Sequence, residues 1–87
     1  MSALSEQSKE FSVFLYKYMD MMNLGSVSKT AAAFKVSRQQ FYKWLNGGVP
    51  YSQLKNICTE ISKHTNVERG VVVAEVTQII QNILNAE

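Results

Sequence analysis

The sequence predicts an all-α fold of four to five short helices. Apolar residues recur at intervals of three and four in five successive segments of the 87-residue chain. Residues that end or begin helices separate these segments, namely Gly25, the pair Gly47 and Gly48, and Pro50. Two serines, Ser26 and Ser37, stand where helix N-caps are expected.

The first two helices are predicted on either side of Gly25, which supplies a left-handed residue. Helix one is expected from about Ser5 to about Asn23, and helix two from Ser26 to near Phe34. The inward residues of helix one are Phe11, Phe14, Leu15, Tyr18, Met21 and Met22, and those of helix two are Val27, Thr30, Ala31 and Phe34.

The third helix is predicted to begin at Ser37, because Gln40 three positions later completes a capping box. It directs Phe41, Trp44 and Leu45 inward and ends at Gly47. Pro50 suits the first turn of helix four, whose inward residues are Leu54, Ile57, Cys58 and Ile61.

A last helix is predicted from about Val67, after a turn at Thr65 and Asn66. The run Val71 to Val73 leaves residues 70–76 open between helix and strand, since β-branched residues also favour strands. We therefore divide the chain into residues 1–66, which hold the first four helices, and residues 67–87.

Composition is that of a globular protein, with 46% hydrophobic and 18% charged residues. No apolar run approaches the roughly 20 residues that cross a bilayer, so no membrane partner is expected. The start from Met1 to Glu10 lacks the features of a secretory signal, and the single Cys58 cannot form an internal disulfide. We expect a cytoplasmic protein.

The charge is divided unevenly along the chain. Residues 1–25 carry a net charge of −1 and residues 64–87 carry −2, whereas residues 26–63 carry +5. The basic residues of this middle segment are Lys29, Lys35, Arg38, Lys43, Lys55 and Lys63, against Glu60 alone. Such an asymmetry is expected of a face that meets a polyanion, although a solvated surface gives the same count.

The segment from Val27 to Asn46 fits the template of a helix-turn-helix unit. Ala31 is the small residue where two helices approach, and Phe34 and Val36 flank the turn. The third helix then directs a row of hydrogen-bonding side chains outward, and an α-helix fits the major groove of DNA. This row consists of Arg38, Gln39, Tyr42, Lys43 and Asn46.

Each outward residue has an expected role on double-stranded DNA. Arg38 can bond guanine O6 and N7, and Gln39 can bond adenine N6 and N7. Tyr42 and Lys43, one turn further, reach a base edge or a phosphate. Phosphate contacts are expected from Ser26, Ser28 and Lys29 at the start of helix two, from Ser37 and Asn46, and more weakly from Lys35 and Lys55.

The stretches Lys29-Thr30-Ala31, Phe34 to Arg38 and Phe41 to Gly47 resemble the helix-turn-helix of lambdoid phage Cro and CII regulators and of the wider lambda repressor-like superfamily. The resemblance implies a transcription regulator of a phage or mobile element, such as a repressor. It further implies that the regulator acts at the nucleoid as a dimer or higher assembly. Lys35 departs from the pattern, because the family usually has a turn glycine there.

The last helix is expected to mediate oligomerisation. Val72, Val76, Ile79 and Ile83 form one apolar strip, and Val73, Ile80 and Leu84 form an adjoining one. The second strip is predicted to meet another chain. Two-fold pairing would then match an inverted-repeat operator with reading helices about 34–36 Å apart, whereas a head-to-tail assembly would favour direct repeats.

Two alternatives stay open, a helical protein-interaction module such as an antitoxin or anti-activator, and an architectural or recombination-directing DNA-binding factor. An enzyme is not expected, because the single His64 and Cys58 have no companions at catalytic or metal-binding spacing. No cofactor and no small-molecule substrate are expected either.

Overall fold

The computed structural model describes the backbone of residues 2–85 and the side chains of residues 9–85. Five α-helices follow one another: α1 (Ser2–Met22), α2 (Val27–Ala33), α3 (Arg38–Leu45), α4 (Leu54–His64) and α5 (Arg69–Asn85). A 3₁₀ turn, Tyr51–Gln53, leads directly into α4. No strand occurs between residues 2 and 85, so the all-α prediction is confirmed.

Helix α1 ends at Met22, before the glycine predicted to stop it. Asn23 takes the first left-handed conformation, with φ 51°, and Gly25 the second, with φ 99°. Asn tolerates this region better than most residues because its short polar side chain can bond locally. The prediction that Met21 points inward is wrong, since this residue is 47% exposed at the edge of the buried face.

The turn between α2 and α3 closes through two backbone hydrogen bonds. The Lys35 amide donates to the Ala32 carbonyl at 3.0 Å, and the Val36 amide donates to the Ala31 carbonyl at 3.1 Å. This is the Schellman pattern, which requires a left-handed residue at the position of Lys35. Lys35 has φ 62°, so the distortion expected of a non-glycine residue there is present.

Pro50 does not lie in the first turn of α4 as predicted. It is extended, with φ −67° and ψ 139°, and it precedes the 3₁₀ turn, where the Gln53 amide donates to its carbonyl at 3.0 Å. The fixed φ of proline fits this extended position as well as a first helical turn. Helix α4 proper therefore begins at Leu54.

Helix α5 resolves the choice that the β-branched residues left open. Residues 70–76 all lie within the helix, which begins at Arg69. Val72 is fully buried in the core, whereas Val71 and Val73 are exposed. Burial on one side of the run at helical spacing outweighs the modest intrinsic preference of valine for strands.

The core centres on α3. Phe34, Phe41 and Trp44 form an aromatic cluster, with ring centroids 5.6 Å apart between Phe34 and Phe41 and 5.9 Å between Phe34 and Trp44. Helix α3 packs on α1 and α2, while α5 packs on α4 and α1. Helix α1 contributes Phe11, Phe14, Leu15, Tyr18 and Met22 to the same core.

Polar bonds join α1 to α5 at the edge of this core. Lys17 pairs with Glu75, and the Tyr18 hydroxyl donates to the same carboxylate. Burial, and then the hydrogen bond to Glu75, raise the pKa of Tyr18 to about 12. Burial acts to raise the pKa of Glu75, but the hydrogen bonds from Lys17 and Tyr18 outweigh it and lower the pKa.

Adding bulk at Ala31 should destabilise the protein, because this side chain is 1% exposed between packed helices. We expect Ala31→Leu to lower the free energy of unfolding by about 1–3 kcal/mol. Its neighbour Ala32 is exposed on the same helix, so Ala32→Leu should change stability by less than about 0.5 kcal/mol. Urea unfolding followed by circular dichroism measures both, and equal stabilities would contradict the packing described.

Candidate nucleic-acid interface

The outward row predicted for the third helix lies on the solvent side of α3. Its members are Arg38, Gln39, Tyr42, Lys43 and Asn46, which we call the reading face, and all are exposed. The opposite side of α3 is closed, with Phe41, Trp44 and Leu45 no more than 2% exposed. The ion pairs in the described part of the chain involve no residue of α3. The reading face is therefore available to an external partner.

The start of α3 is fixed by its cap. The Ser37 hydroxyl oxygen accepts the Gln40 backbone amide at 3.0 Å, which is the serine half of the predicted capping box. Because the oxygen is the acceptor, the hydroxyl proton of this exposed serine can still be donated outward. At the other end, Asn46 is the C-cap, and Gly47 takes the left-handed conformation with φ 98°.

The start of α2 has the same construction. The Ser26 hydroxyl oxygen accepts the Lys29 amide at 3.1 Å. Ser26, Ser28 and Lys29 are all exposed, so their remaining donors face solvent. Thr30 is buried instead, and its hydroxyl donates to the Ser26 carbonyl at 2.9 Å, which leaves this polar group satisfied.

A residue of α4 that no sequence pattern selects holds the turn before α3. The Asn56 side-chain amide donates to the Phe34 carbonyl at 2.9 Å. This carbonyl belongs to the C-cap of α2, where helix carbonyls lack intrahelical partners. Asn56 therefore ties α4 to the turn, and no local spacing rule signals such a contact.

A recess of about 330 Å³ lies beside the reading face. It is lined by Ser37, Gln39, Gln40, Lys43, Trp44, Gly48 and Pro50. The Trp44 indole N–H is buried and has no hydrogen-bond partner among the side chains and backbone that the structure describes. Of these residues, Gln40, Gly48 and Pro50 were not among the predicted DNA contacts. Gly48 and Pro50 line the recess because the loop after α3 folds back beside the helix.

The only acidic residue of the basic middle segment is removed from the surface. Glu60 is 6% exposed, and its carboxylate lies 3.5 Å from the Lys63 ammonium and 3.7 Å from the His64 ring. The five cations Lys29, Lys35, Arg38, Lys43 and Lys55 are all exposed. Since Glu60 pairs with Lys63, these five cations account for the net charge of +5 that the sequence gives for this segment.

Lys55 does not join the reading face. It lines a separate recess between α4 and α5 together with Arg69 and Val73. Lys35 is in the turn itself, with its side chain exposed. Of the weaker predicted phosphate contacts, the structure thus brings Lys35 next to α3 and places Lys55 among residues of α4 and α5.

The residues predicted for oligomerisation differ in their exposure. Val72, Val76 and Ile83 are buried in the chain's own core, which corrects their assignment to an interface. Ile79 and Ile80 are half-buried against that core. Only Val73 and Leu84 are exposed; they lie eleven positions, or about 16 Å, apart on the same side of α5, with the half-buried Ile80 between them.

The remaining sequence predictions concern absences. No helix between residues 2 and 85 has the length and apolarity to cross a bilayer. Within the same residues, no three His, Cys, Asp or Glu side chains come together as a metal site. Cys58 is buried, and burial raises the pKa of its thiol. Comparison with protein-family models, curated proteins and solved structures gave no match.

Lys35→Gly should separate the backbone role of this residue from its charge. Glycine adopts φ 62° without a Cβ clash, so we expect the free energy of unfolding to rise by up to about 1 kcal/mol. Lys35→Ala is the matched control, because it removes the same charge and keeps the clash. Equal unfolding free energies for the two variants would show that the left-handed conformation costs nothing.

Proposed function

We propose that this chain is a sequence-specific regulator of transcription that binds double-stranded DNA through a helix-turn-helix unit formed by α2 and α3. One observation carries the proposal: α3 has one fully buried side and an opposite side of exposed, unpaired polar and basic groups. A rigid helix with such a face has the width and the donors that major-groove recognition requires.

In this proposal Arg38 and Gln39 read bases, since both are at the start of α3, the end that enters the groove in helix-turn-helix complexes. Tyr42 and Lys43 follow one helical turn later. Ser26, Ser28 and Lys29 bind phosphate at the start of α2, where hydroxyl donors and a cation are exposed together. Ser37, Asn46 and Lys35 border the same face.

A single copy reads a short site. Helix α3 has eight residues and is therefore about 12 Å long, which corresponds to roughly four base pairs. Recognition of a longer operator requires two copies, and two-fold pairing favours an inverted repeat. The regulatory role follows from binding at such a site and does not distinguish activation from repression.

A protein-interaction module fits the reading face less well. Interfaces between proteins are enriched in aromatic and apolar side chains at their centres, with few charges. Here Tyr42, 48% exposed, is the one aromatic residue of the reading face, and the other four are polar or basic. The balance of charge and hydrogen-bonding groups favours DNA.

Selection of bound sequences from a random pool of duplexes tests the proposal directly. We expect enrichment of a common motif, arranged as an inverted repeat with half-site centres about 10 base pairs apart. Enrichment of no motif would reject sequence-specific binding.

Arg38→Ala should change the selected motif at one position. Loss of a two-pronged contact to guanine removes about 1–3 kcal/mol of discrimination at one base pair and leaves the others. Binding to a panel of single-base operator variants measures this. A uniform loss across the panel would instead assign Arg38 to phosphate contact.

Lys29→Ala should have the opposite signature. Loss of one phosphate contact lowers affinity on all sequences and reduces the slope of log affinity against log salt by about one. Lys63→Ala is the control, because Lys63 pairs with Glu60 on α4 and should leave the slope unchanged. An unchanged slope for Lys29→Ala would place Lys29 outside the interface.

A further inference from the structure

Helices α1 and α5 meet along an exposed surface that the proposed DNA contacts do not use. Lys17 pairs with Glu75, and the Asn82 amide lies 3.4 Å from the Glu10 carboxylate, so the two helices run antiparallel. Steps of four residues from the Lys17–Glu75 pair bring Val13 level with Ile79, and Met21 level with Val71. We call these three pairs, whose members lie at the same level of α1 and α5, the seam.

The seam is apolar on both sides of its central ion pair. Val13 is 64% exposed, Met21 47% and Val71 51%, and Ile79 is half-buried. A groove of about 560 Å³ runs between the helices at the Val13 end; Val13, Phe14 and Ile79 line it together with the polar side chains of Lys9, Glu10, Lys17, Glu75 and Gln78. Val13, Met21 and Val71 are therefore the exposed apolar side chains of the seam, whereas Val73 and Leu84 lie together on the opposite side of α5.

We propose that two copies of this chain associate seam to seam, about a two-fold axis that runs along the seam. This axis places α1 of one copy over α5 of the other at the same level. Val13 then packs over the partner's Ile79, Met21 over the partner's Val71, and Lys17 over the partner's Glu75. All three contacts occur twice, as a two-fold interface requires.

Charge decides between this axis and its alternative. An in-plane axis across the seam would place α1 over α1 and bring Lys17 against the partner's Lys17, where like charges repel. The axis along the seam instead builds a square of two lysines and two glutamates with alternating sign. Each charge then has two opposite neighbours, which offsets the desolvation that burial of an ion pair costs.

The size of the seam sets the expected strength. From Lys9 to Met21 α1 rises about 18 Å, and two helices side by side are about 20 Å wide, so each copy covers roughly 400 Å². This is below the roughly 800 Å² per partner of a standard interface. The dimer is therefore reversible, with a dissociation constant in the micromolar range or above.

None of the seam residues belongs to α2 or α3, so association leaves the reading face free. The inference stands apart from DNA binding, and its test contains no DNA. Failure of one therefore does not imply failure of the other.

Sedimentation velocity from about 5 to 500 µM protein tests the association, a range that spans micromolar binding. The wild type should shift from monomer to dimer, and Val13→Glu should remain monomeric. The new carboxylate lies between Lys9 and Lys17 at helical spacing, so α1 should not be destabilised. Leu84→Glu is the matched control at an exposed position of α5 and should dimerise like the wild type.

Three outcomes would overturn the proposal: a wild type that stays monomeric throughout, a Val13→Glu variant that dimerises normally, or a Leu84→Glu variant that loses the dimer. Circular dichroism confirms that each variant is folded. Loss at Leu84 would return the interface to the strip predicted from sequence.

A charge exchange tests the pairing itself. Lys17→Glu places carboxylates at positions 17 and 75 of one chain, and Glu75→Lys places lysines at both positions of another. Each variant alone should be monomeric through like-charge repulsion, and an equimolar mixture should form a heterodimer. Folded variants whose mixture gives no heterodimer would overturn the seam as the interface. If either variant fails to fold, the comparison of Val13→Glu with Leu84→Glu decides.

Discussion

The burial of one side of α3 is the constraint on which the rest of the structure depends. Phe41 and Trp44 pack with Phe34 in a cluster where each ring is no more than 1% exposed. Exposing aromatic rings of this size would cost the folded state several kcal/mol of stability. Helix α3 therefore cannot rotate about its axis to expose them. Fixing the buried side also fixes the residues that face outward.

The turn before α3 is held by contacts from three different parts of the chain. The Schellman bonds come from α2, the Ser37 cap comes from the turn itself, and Asn56 reaches the Phe34 carbonyl from α4. Each alone is worth about 1 kcal/mol. Together they explain how the chain accommodates a lysine in the left-handed position that a glycine would occupy without strain.

Local periodicity predicted most of the fold, because each helix buries one face and the apolar residues of that face recur at helical spacing in the sequence. Helix ends with a serine cap or a glycine were also predictable. Met21 and Pro50 were placed wrongly, since their positions depend on how far a neighbouring helix extends and on how a loop turns. Local spacing does not contain that information.

The candidate site was also predictable in part. The reading face follows from the helical phase of Phe41 and Trp44, so its members could be named from the sequence. Asn56 could not, because its contact joins residues twenty-two positions apart. Nor could the burial of Glu60, which confines its carboxylate to contacts with Lys63 and His64 on α4.

The width of an apolar band is a poor guide to an interface for a related reason. Helix α5 packs on both α4 and α1, so it buries a broader band than a helix with one neighbour does. The excess width that indicated a second chain is mostly covered by the protein itself. The apolar side chains that stay exposed beside the contact of α1 with α5 include Val13 and Met21 on α1 and Val71 on α5.

The sign of the net charge also differs between the two ends of the chain and its middle. The segments with net negative charge are the two ends of the chain, which form α1 and α5, while the positive segment forms α2 to α4. Carboxylates near phosphates would weaken DNA binding, and an excess of lysines at a dimer contact would oppose association. Because α3 packs on α1 and α2 while α5 packs on α4 and α1, the fold keeps the carboxylates of α5 away from the reading face.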